Sequence, residues 1–274
     1  MRDRAGISGT MRNDPKRALL EQKIAGKGSM LVAFSGGVDS GLLAVVAEEV
    51  LGNKAHCILL DSPLVPRAAI AEAEAIAKEF GLSFEIVRAP DLDENFRKNP
   101  PDRCYYCKKK DAAILKKKAK EYGFAVVADG INLSDTAEHR PGLAASSEEG
   151  VVHPFIEAGL TKEDIRRIAR ESGLPFWNKP SAACLSSRIP YGEEITDIKL
   201  GMIESAEELL HELGFGQVRV RCHGTIARIE VEPKEMEHLL MERETIVAGF
   251  EEAGFSYIAL DLIGYRSGSM DEVL

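Results

Sequence analysis

Apolar residues along this chain fall into short runs separated by helical periods. Met30-Leu31-Val32-Ala33-Phe34 is a five-residue apolar run with β-branched and aromatic members, the pattern of a buried strand. Leu42-Leu43-Ala44-Val45-Val46 follows after a turn and reads as a helix packed back on that strand. Ahead of it, Asn13-Asp14-Pro15 caps a helix reaching Ala25, with Leu19, Leu20 and Ile24 as its apolar stripe. A second strand, Ala55 to Leu60, ends at Asp61. It is followed by a helix from Pro66 to Phe80, closed by Gly81, and by a third strand, Ser83 to Val87. A fourth strand, Phe124 to Ala128, runs into Asp129-Gly130-Ile131-Asn132. Strands and helices alternating over short links predict an α/β fold with a parallel, doubly wound sheet.

The pattern then loosens. Residues 130 to 150 carry Pro141-Gly142, Ser146-Ser147 and Glu148-Glu149-Gly150, and read as a mobile loop over the sheet. Val151 to Pro154 reads as a short fifth strand, and Thr161-Lys162-Glu163-Asp164 opens a helix that Gly173 stops. From Leu174 to Gly192 there is no regular period, but Trp177, Lys179, Cys184, Ser186, Ser187 and Arg188 crowd together, as in a loop carrying function. Beyond it the order changes to a helix from Thr196 to Leu213, strands Gln217 to Cys222 and Ile226 to Val231, a helix from Pro233 to Ala253, and a strand Tyr257 to Leu262. These predict a second, smaller α+β domain, so the chain divides into 14–180 and 181–274.

Composition narrows the classes. A chain of 274 residues with 45% hydrophobic residues can fill two cores. No apolar run approaches the roughly 20 residues of a membrane span, and Met1-Arg2-Asp3-Arg4 has no signal-like apolar stretch behind it, so a cytoplasmic location is expected. Residues 1 to 12 read as a polar tail, with Met11 an alternative start. A net charge of -9 argues against general nucleic-acid affinity, and the runs Lys108-Lys109-Lys110 and Lys116-Lys117-Lys118 read as a solvated helix face.

The chemistry begins at Ser35-Gly36-Gly37-Val38-Asp39-Ser40, which joins strand to helix. Glycines let the backbone approach a ligand, and the first-turn amides and dipole of the helix favour an anion. No Lys follows the glycines, as in the loop of kinases and GTPases, and the third glycine of the dinucleotide fingerprint is missing. The loop instead resembles the PP-loop of ATP pyrophosphatases, which implies ATP split between its α and β phosphates. Ser35, Asp61 and Asp129 fall at the carboxyl rim of the sheet, where ligands collect, and the acidic groups there can take ribose hydroxyls or help hold Mg²⁺. Gly130 and Asn132 belong to the same rim.

Five cysteines, an odd number, do not form a disulfide framework. Cys104 and Cys107 place two thiols within reach of one metal, a pattern shared by zinc, iron–sulfur and redox dithiol sites, with Cys184 the third candidate. Three thiolates on a cubane would leave one iron open. Cys57 and Cys222 alternate into strands and read as core. Gln217, Arg219, Arg221 and His223 share one strand face, suited to gripping a phosphate or simply exposed.

Lys179-Pro180-Ser181-Ala182-Ala183-Cys184-Leu185-Ser186-Ser187-Arg188, with the PP-loop and the segments Arg219-Val220-Arg221 and Ala227-Arg228-Ile229-Glu230, is similar to the LarE family over nearly the whole chain after residue 13. Those proteins are ATP-dependent sulfur transferases that convert pyridinium-3,5-biscarboxylic acid mononucleotide to its thiocarboxylate, during synthesis of the nickel-pincer nucleotide cofactor of lactate racemase. The resemblance implies that residues 35–40 hold the ATP phosphates and that Cys184 handles sulfur; the strand-face spacing of Arg219 and Arg221 suits them to the phosphate of such a nucleotide. From the chemistry of such a step, Ser187 and Arg188 are expected at the reacting centre, with Arg188 neutralising charge at the acyl phosphate, and Glu207, Glu208 or Glu230 is expected to bind a divalent ion near the substrate. Cys104 and Cys107 place the chain with the branch whose three cysteines hold a [4Fe-4S] cluster, rather than with members that sacrifice the sulfur of one cysteine. The family implies homo-oligomers and leaves the sulfur donor open. Two other readings stand beside it, a cluster-dependent tRNA thiolase, for which the chain lacks a basic domain or zinc ribbon, and a nucleotide-binding module that never turns over ATP.

Overall fold

Alternation along the first strand decides the architecture. In β1 (Met30–Ala33), Met30 and Val32 turn to one face of the sheet and Leu31 to the other. The same alternation puts Cys57 and Leu59 of β2 (Ala55–Asp61) on the first face and Ile58 on the second. Both sets are buried, so helices must cover both faces. The computed structural model of the chain describes residues 14–137, 141–180, 183–266 and 268–270. The expected N-terminal tail, and Ser181 and Ala182, lie outside the described residues.

Two compact units result, and the second takes in short segments from early in the chain. Among the described residues, the first takes those of 14–62, 67–90 and 104–180, and the second those of 63–66, 91–103 and 183–270. In the first, the sheet order is β3-β2-β1-β4, all parallel, where β3 is Phe84–Arg88 and β4 is Val126–Ala128. The expected fifth strand is only a parallel bridge, Ala128 to Val152, because Pro154 has no amide to extend a ladder and instead opens a one-turn helix, α7 (Pro154–Glu157).

One face of this sheet is covered by α1 (Pro15–Ala25), α2 (Val38–Leu51), α3 (Arg67–Phe80) and α8 (Lys162–Glu171). Leu42, Leu43, Val46 and Ala47 of α2 are fully buried, so this helix runs through the core rather than over it. The other face is covered by α5 (Arg103–Tyr122), with Ala112, Leu115 and Ala119 spaced three and four apart against Leu31, Ile58 and Val127. Its lysine runs lie on the outer sides, where Lys109 and Lys116 pair with Glu148 and Glu149. The expected loop at 130–150 instead contains a 3₁₀ turn, Leu133–Ala137, and a helix, α6 (Pro141–Glu148). Pro141 stands at the first helical position, where a missing amide costs nothing, so the Pro-Gly pair starts a helix here rather than a turn.

The second unit pairs α4 (Glu94–Arg97) and α9 (Asp197–Glu212) with a mixed sheet of order β5-β6-β7. Strands β5 (Arg219–His223) and β6 (Ile226–Glu230) are antiparallel, and β7 (Tyr257–Leu260) is parallel to β6. The single helix expected from Pro233 to Ala253 is divided into α10 (Met236–Met241) and α11 (Arg243–Ala253), because Glu242 leaves the helical region at φ -87° and ψ 8°. Among the described residues no helix is long and apolar enough to cross a membrane.

Helices α1 and α8 are tied by reciprocal charges. Asp14, the N-cap of α1, pairs with Arg167 of α8, and Asp164, in the capping box of α8, pairs with Lys16 of α1. Burial alone raises the Asp164 pKa, but the Lys16 ammonium and the Thr161 amide and hydroxyl outweigh it and bring the carboxyl to about 2 from the ordinary 3.8. A carboxyl depressed on folding stabilises above its unfolded pKa, and the contribution vanishes as pH falls through the folded value. Asp164→Asn is therefore expected to cost about 1 kcal/mol near neutrality. The gap from wild type should close as the pH falls from about 4 toward 2. Urea denaturation at stepped pH measures this, and a gap that does not change with pH would rule out the carboxylate charge as its source.

Candidate functional site

The phosphate loop is shaped by three short-range constraints. Gly36 has φ 69°, and a Cβ there would lie 2.8 Å from that of Ala73, so both conformation and space call for glycine. Ser40 closes the loop from inside, its hydroxyl accepting from the Ser35 amide at 3.1 Å and lying 3.0 Å from the Ser35 hydroxyl. Gly37 caps α2 without any side-chain bond, so the amides of Val38 and Asp39 open the helix with no side-chain acceptor. A 14-residue helix then directs its positive end at the loop.

Charged groups from elsewhere in the first unit converge on it. Lys162, the first residue of α8, reaches Asp39 Oδ2, and Lys179 Nζ donates to the Gly36 carbonyl at 3.1 Å while pairing with Glu72 at 2.6 Å. Sequence reasoning assigned neither lysine to the phosphate site. Lys162 was read as part of a helix start and Lys179 as one polar residue of an irregular stretch; the only local signal was the absence of a lysine in the loop itself, which leaves a triphosphate to be neutralised from outside. Asp39 Oδ1 is buried with no partner among the described residues. Magnesium is commonly held by one or two carboxylates plus substrate phosphates, so this atom fits a metal–nucleotide complex.

The other rim residues differ in availability. Asp61, at the end of β2, is engaged by Arg67 at 2.6 Å. Asp129, at the end of β4, accepts from His153 Nδ1 at 2.7 Å and from the Ile131 amide at 3.2 Å. Gly130 touches the phosphate loop, since a Cβ there would meet the Ser40 nitrogen at 2.9 Å and Asp39 at 3.0 Å. Asn132 is buried and holds the next turn through the Ser134 amide. Cys104 and Cys107 lie three residues apart on the first turn of α5, the former exposed and the latter half-buried.

In the second unit Cys184 precedes the 3₁₀ turn Leu185–Arg188, its sulfur 3.1 Å from the Ser186 hydroxyl. Arg188 is nearly fully buried and turns its donors on the protein. It forks onto Glu207 at 2.9 and 2.8 Å and holds the carbonyls of Ala183 and Cys184 and the Ser187 hydroxyl. It therefore shapes the cysteine turn, a different task from the charge neutralisation expected of it. Glu207 also accepts from the Val220 amide at 2.9 Å, and Glu230 is enclosed by Arg221, Arg228 and Ser269. Glu207 and Glu230 are thus committed to guanidinium groups, and the two together do not fit a divalent ion.

Arg219 and Arg221 are buried, so their strand face is not the plain solvent surface that the alternative reading of β5 required. Burial first, and the nearby Arg188 next, disfavour the charged form of Arg219, and Arg221 Nε is buried with no partner among the described residues. An anion would relieve both. On the opposite face Val218, Val220 and Cys222 are core, and burial pushes the Cys222 thiol up to about 11. Cys57 is likewise core, its thiol pushed up to about 12.

Residues 16–125 match the model of the NAD synthase family. The chain is 41% identical to an uncharacterised protein of Synechocystis over 89% of this chain and 92% of that one. It is 36% identical to the pyridinium-3,5-bisthiocarboxylic acid mononucleotide synthase of Lactiplantibacillus plantarum, over 94% of this chain and 95% of that protein. A lesser similarity, 25% over 70% of this chain and 41% of the relative, joins it to the glutamine-hydrolysing GMP synthase of Clostridium perfringens.

The buried Arg188–Glu207 pair supports a test of the cysteine turn. Glu207→Gln leaves a buried guanidinium uncompensated and is expected to lower stability by about 3–5 kcal/mol. Arg188→Met and Glu207→Leu together should cost clearly less than the sum of the two single losses in urea denaturation, whereas losses that simply add would show that the pair is not the unit.

Proposed function

The chain belongs to the family of the pyridinium-3,5-bisthiocarboxylic acid mononucleotide synthase, and on that premise we propose that it activates a carboxylate of pyridinium-3,5-biscarboxylic acid mononucleotide with ATP and converts it to a thiocarboxylate, in synthesis of the nickel-pincer nucleotide cofactor. It is an ATP-dependent sulfurtransferase of the PP-loop class. The observation that carries the reading is the loop 35–40, whose open helix start and two converging lysines suit a pyrophosphate leaving group.

A carboxylate is a poor acceptor of sulfur until one oxygen becomes part of a leaving group. Attack of that oxygen on the α-phosphorus expels pyrophosphate and leaves the acyl adenylate. Residues 35–40 with Lys162 and Lys179 hold the pyrophosphate, Asp39 would hold a Mg²⁺ that screens the phosphate charge, and Asp129 faces the nucleotide. Arg219 and Arg221 take the phosphate of the pyridinium mononucleotide, an anion that meets their buried charge. A sulfur nucleophile handled at Cys184 then displaces AMP, which carries off the carboxylate oxygen. The Arg188 fork fixes the Cys184 carbonyl and leaves the sulfur outside that clamp.

Cys104, Cys107 and Cys184 are the ligands of a [4Fe-4S] cluster in this proposal. Cys104 and Cys107, adjacent on one helix turn and not sealed in the core, fit as two of its thiolates. When bound, such a cluster would leave one iron open to exchangeable sulfur. The protein as a whole acts in the cytoplasm on a small molecule.

The test is pyrophosphate release with and without the pyridinium dicarboxylate mononucleotide, alongside mass analysis of the product and iron and sulfide content after anaerobic purification. Wild type is expected to release pyrophosphate only with substrate and to yield the thiocarboxylate. Cys184→Ala should still release pyrophosphate but form no sulfur product, and Cys104→Ala should lose iron. Pyrophosphate release that ignores the pyridinium compound would overturn the substrate assignment, and an iron-free, active wild type would overturn the cluster.

A further inference from the structure

The rim holds a side-chain relay that the reading above does not use. His153 follows Val152, whose backbone is hydrogen-bonded to β4 through the Asp129 amide at 3.2 Å and the Val127 carbonyl at 2.9 Å. This seats the imidazole directly beside the Asp129 carboxylate, with Nδ1 2.7 Å from Oδ1. On the other side of the ring, Nε2 lies 3.2 Å from the Ser147 hydroxyl, which projects from the last turn of α6. The side chains of His153 and Asp129 are only 12% and 13% exposed, so this is a built contact rather than a surface encounter.

For a neutral ring the proton assignment is constrained. Nδ1–H donates to the carboxylate, which leaves Nε2 to accept from the Ser147 hydroxyl. The same order of groups serves serine hydrolases, with the carboxylate as the remote anchor. Here the carboxylate end lies at the sheet rim, next to the loop that the proposed function assigns to ATP. Its two described hydrogen bonds, from His153 and from the Ile131 amide, both fall on Oδ1. Oδ1 is thereby saturated, and the carboxylate plane is fixed with Oδ2 as the oxygen left for a ligand. The arrangement matters at this position because Gly130, the next residue, packs on Asp39 and Ser40 of the phosphate loop.

We propose that His153 is a positioning residue for the nucleotide, holding Asp129 by one oxygen so that the other meets ATP, with Ser147 setting the tautomer of the ring. The proposal rests on the assignment of residues 35–40 and Asp129 to ATP. Loss of His153 frees the carboxylate to rotate beside a polyphosphate, where a misdirected negative charge is repulsive. The effect falls on ATP binding and not on the chemical step.

The experiment measures KM for ATP, kcat, and the equilibrium affinity for a non-hydrolysable ATP analogue in the full-length protein, with a melting temperature for every variant. His153→Ala is expected to weaken ATP about tenfold, the loss of one hydrogen bond to a charged group, with kcat changed less than about twofold. His153→Asn places an amide donor near the position of Nδ1 and should restore affinity to within about threefold. In an Asp129→Asn background, His153→Ala should add nothing, because the histidine acts through that carboxylate. If Asp129→Asn weakens ATP while His153→Ala does not, or if the two losses add, the positioning role is overturned and the ATP site stands. If His153→Asn matches His153→Ala in both affinity and melting temperature, the contribution is packing and the proposal falls. Failure of the wild type to bind the analogue at all would overturn the ATP assignment beneath it.

Discussion

The start of α2 is the constraint on which the first unit depends. A helix buried on all sides has to present unpaired amides at its N-terminus to a ligand, although buried amides without partners are costly. The chain meets this by making the loop hold its shape without those amides. Ser40 binds Ser35, Gly36 fits against Ala73, and Gly130 closes on the helix start from the neighbouring strand. None of these contacts consumes the donors of Val38 or Asp39. The burial of Leu42, Leu43 and Val46 then anchors the helix behind that end.

Charge is handled similarly in both units. Cations meant for anions must rest on something between one ligand and the next. Lys162 rests on Asp39 and Lys179 on a loop carbonyl and Glu72, each a contact that an incoming phosphate can replace. In the second unit the guanidinium groups are more deeply committed. Arg188 is locked to Glu207 and Arg221 to Glu230, while burial and the neighbouring Arg188 both weigh against the charge of Arg219. The buried pairs give that strand face its shape, while Arg219 is left desolvated and Arg221 Nε has no partner among the described residues.

How much of this could be read in advance followed from whether the determining contacts are local. The strand-loop-helix at 30–46 was legible because an apolar run, a glycine turn and a second apolar run are all adjacent in sequence. The parallel sheet followed from alternation. Helix α5 was visible only as lysine runs, since its buried stripe is the sparse set Ala112, Leu115 and Ala119. Helix α6 was hidden because Pro141-Gly142 is a turn signal in most contexts and a helix start in this one. The lysines at the phosphate loop lie more than a hundred residues downstream of the groups they touch, and no local motif announces such a contact. Glu207 and Glu230 looked like metal ligands because a carboxylate in sequence shows its charge and not its partner.

The cysteines show where physical chemistry separates residues that composition treats alike. Cys57 and Cys222 lie in strands, at 3% and 0% exposure, and burial pushes their thiols up to about 12 and 11. The thiolate is the nucleophile and the metal ligand, so these two are chemically silent at neutral pH. Cys104, Cys107 and Cys184 are not sealed in this way. For Cys184 the protein goes further. Arg188 gathers the carbonyls of Ala183 and Cys184 and the Ser187 hydroxyl onto one buried guanidinium, so the backbone of the turn is held while the sulfur makes the lighter contact with Ser186. A clamp on the main chain thus fixes where the side chain starts and leaves its end lightly held.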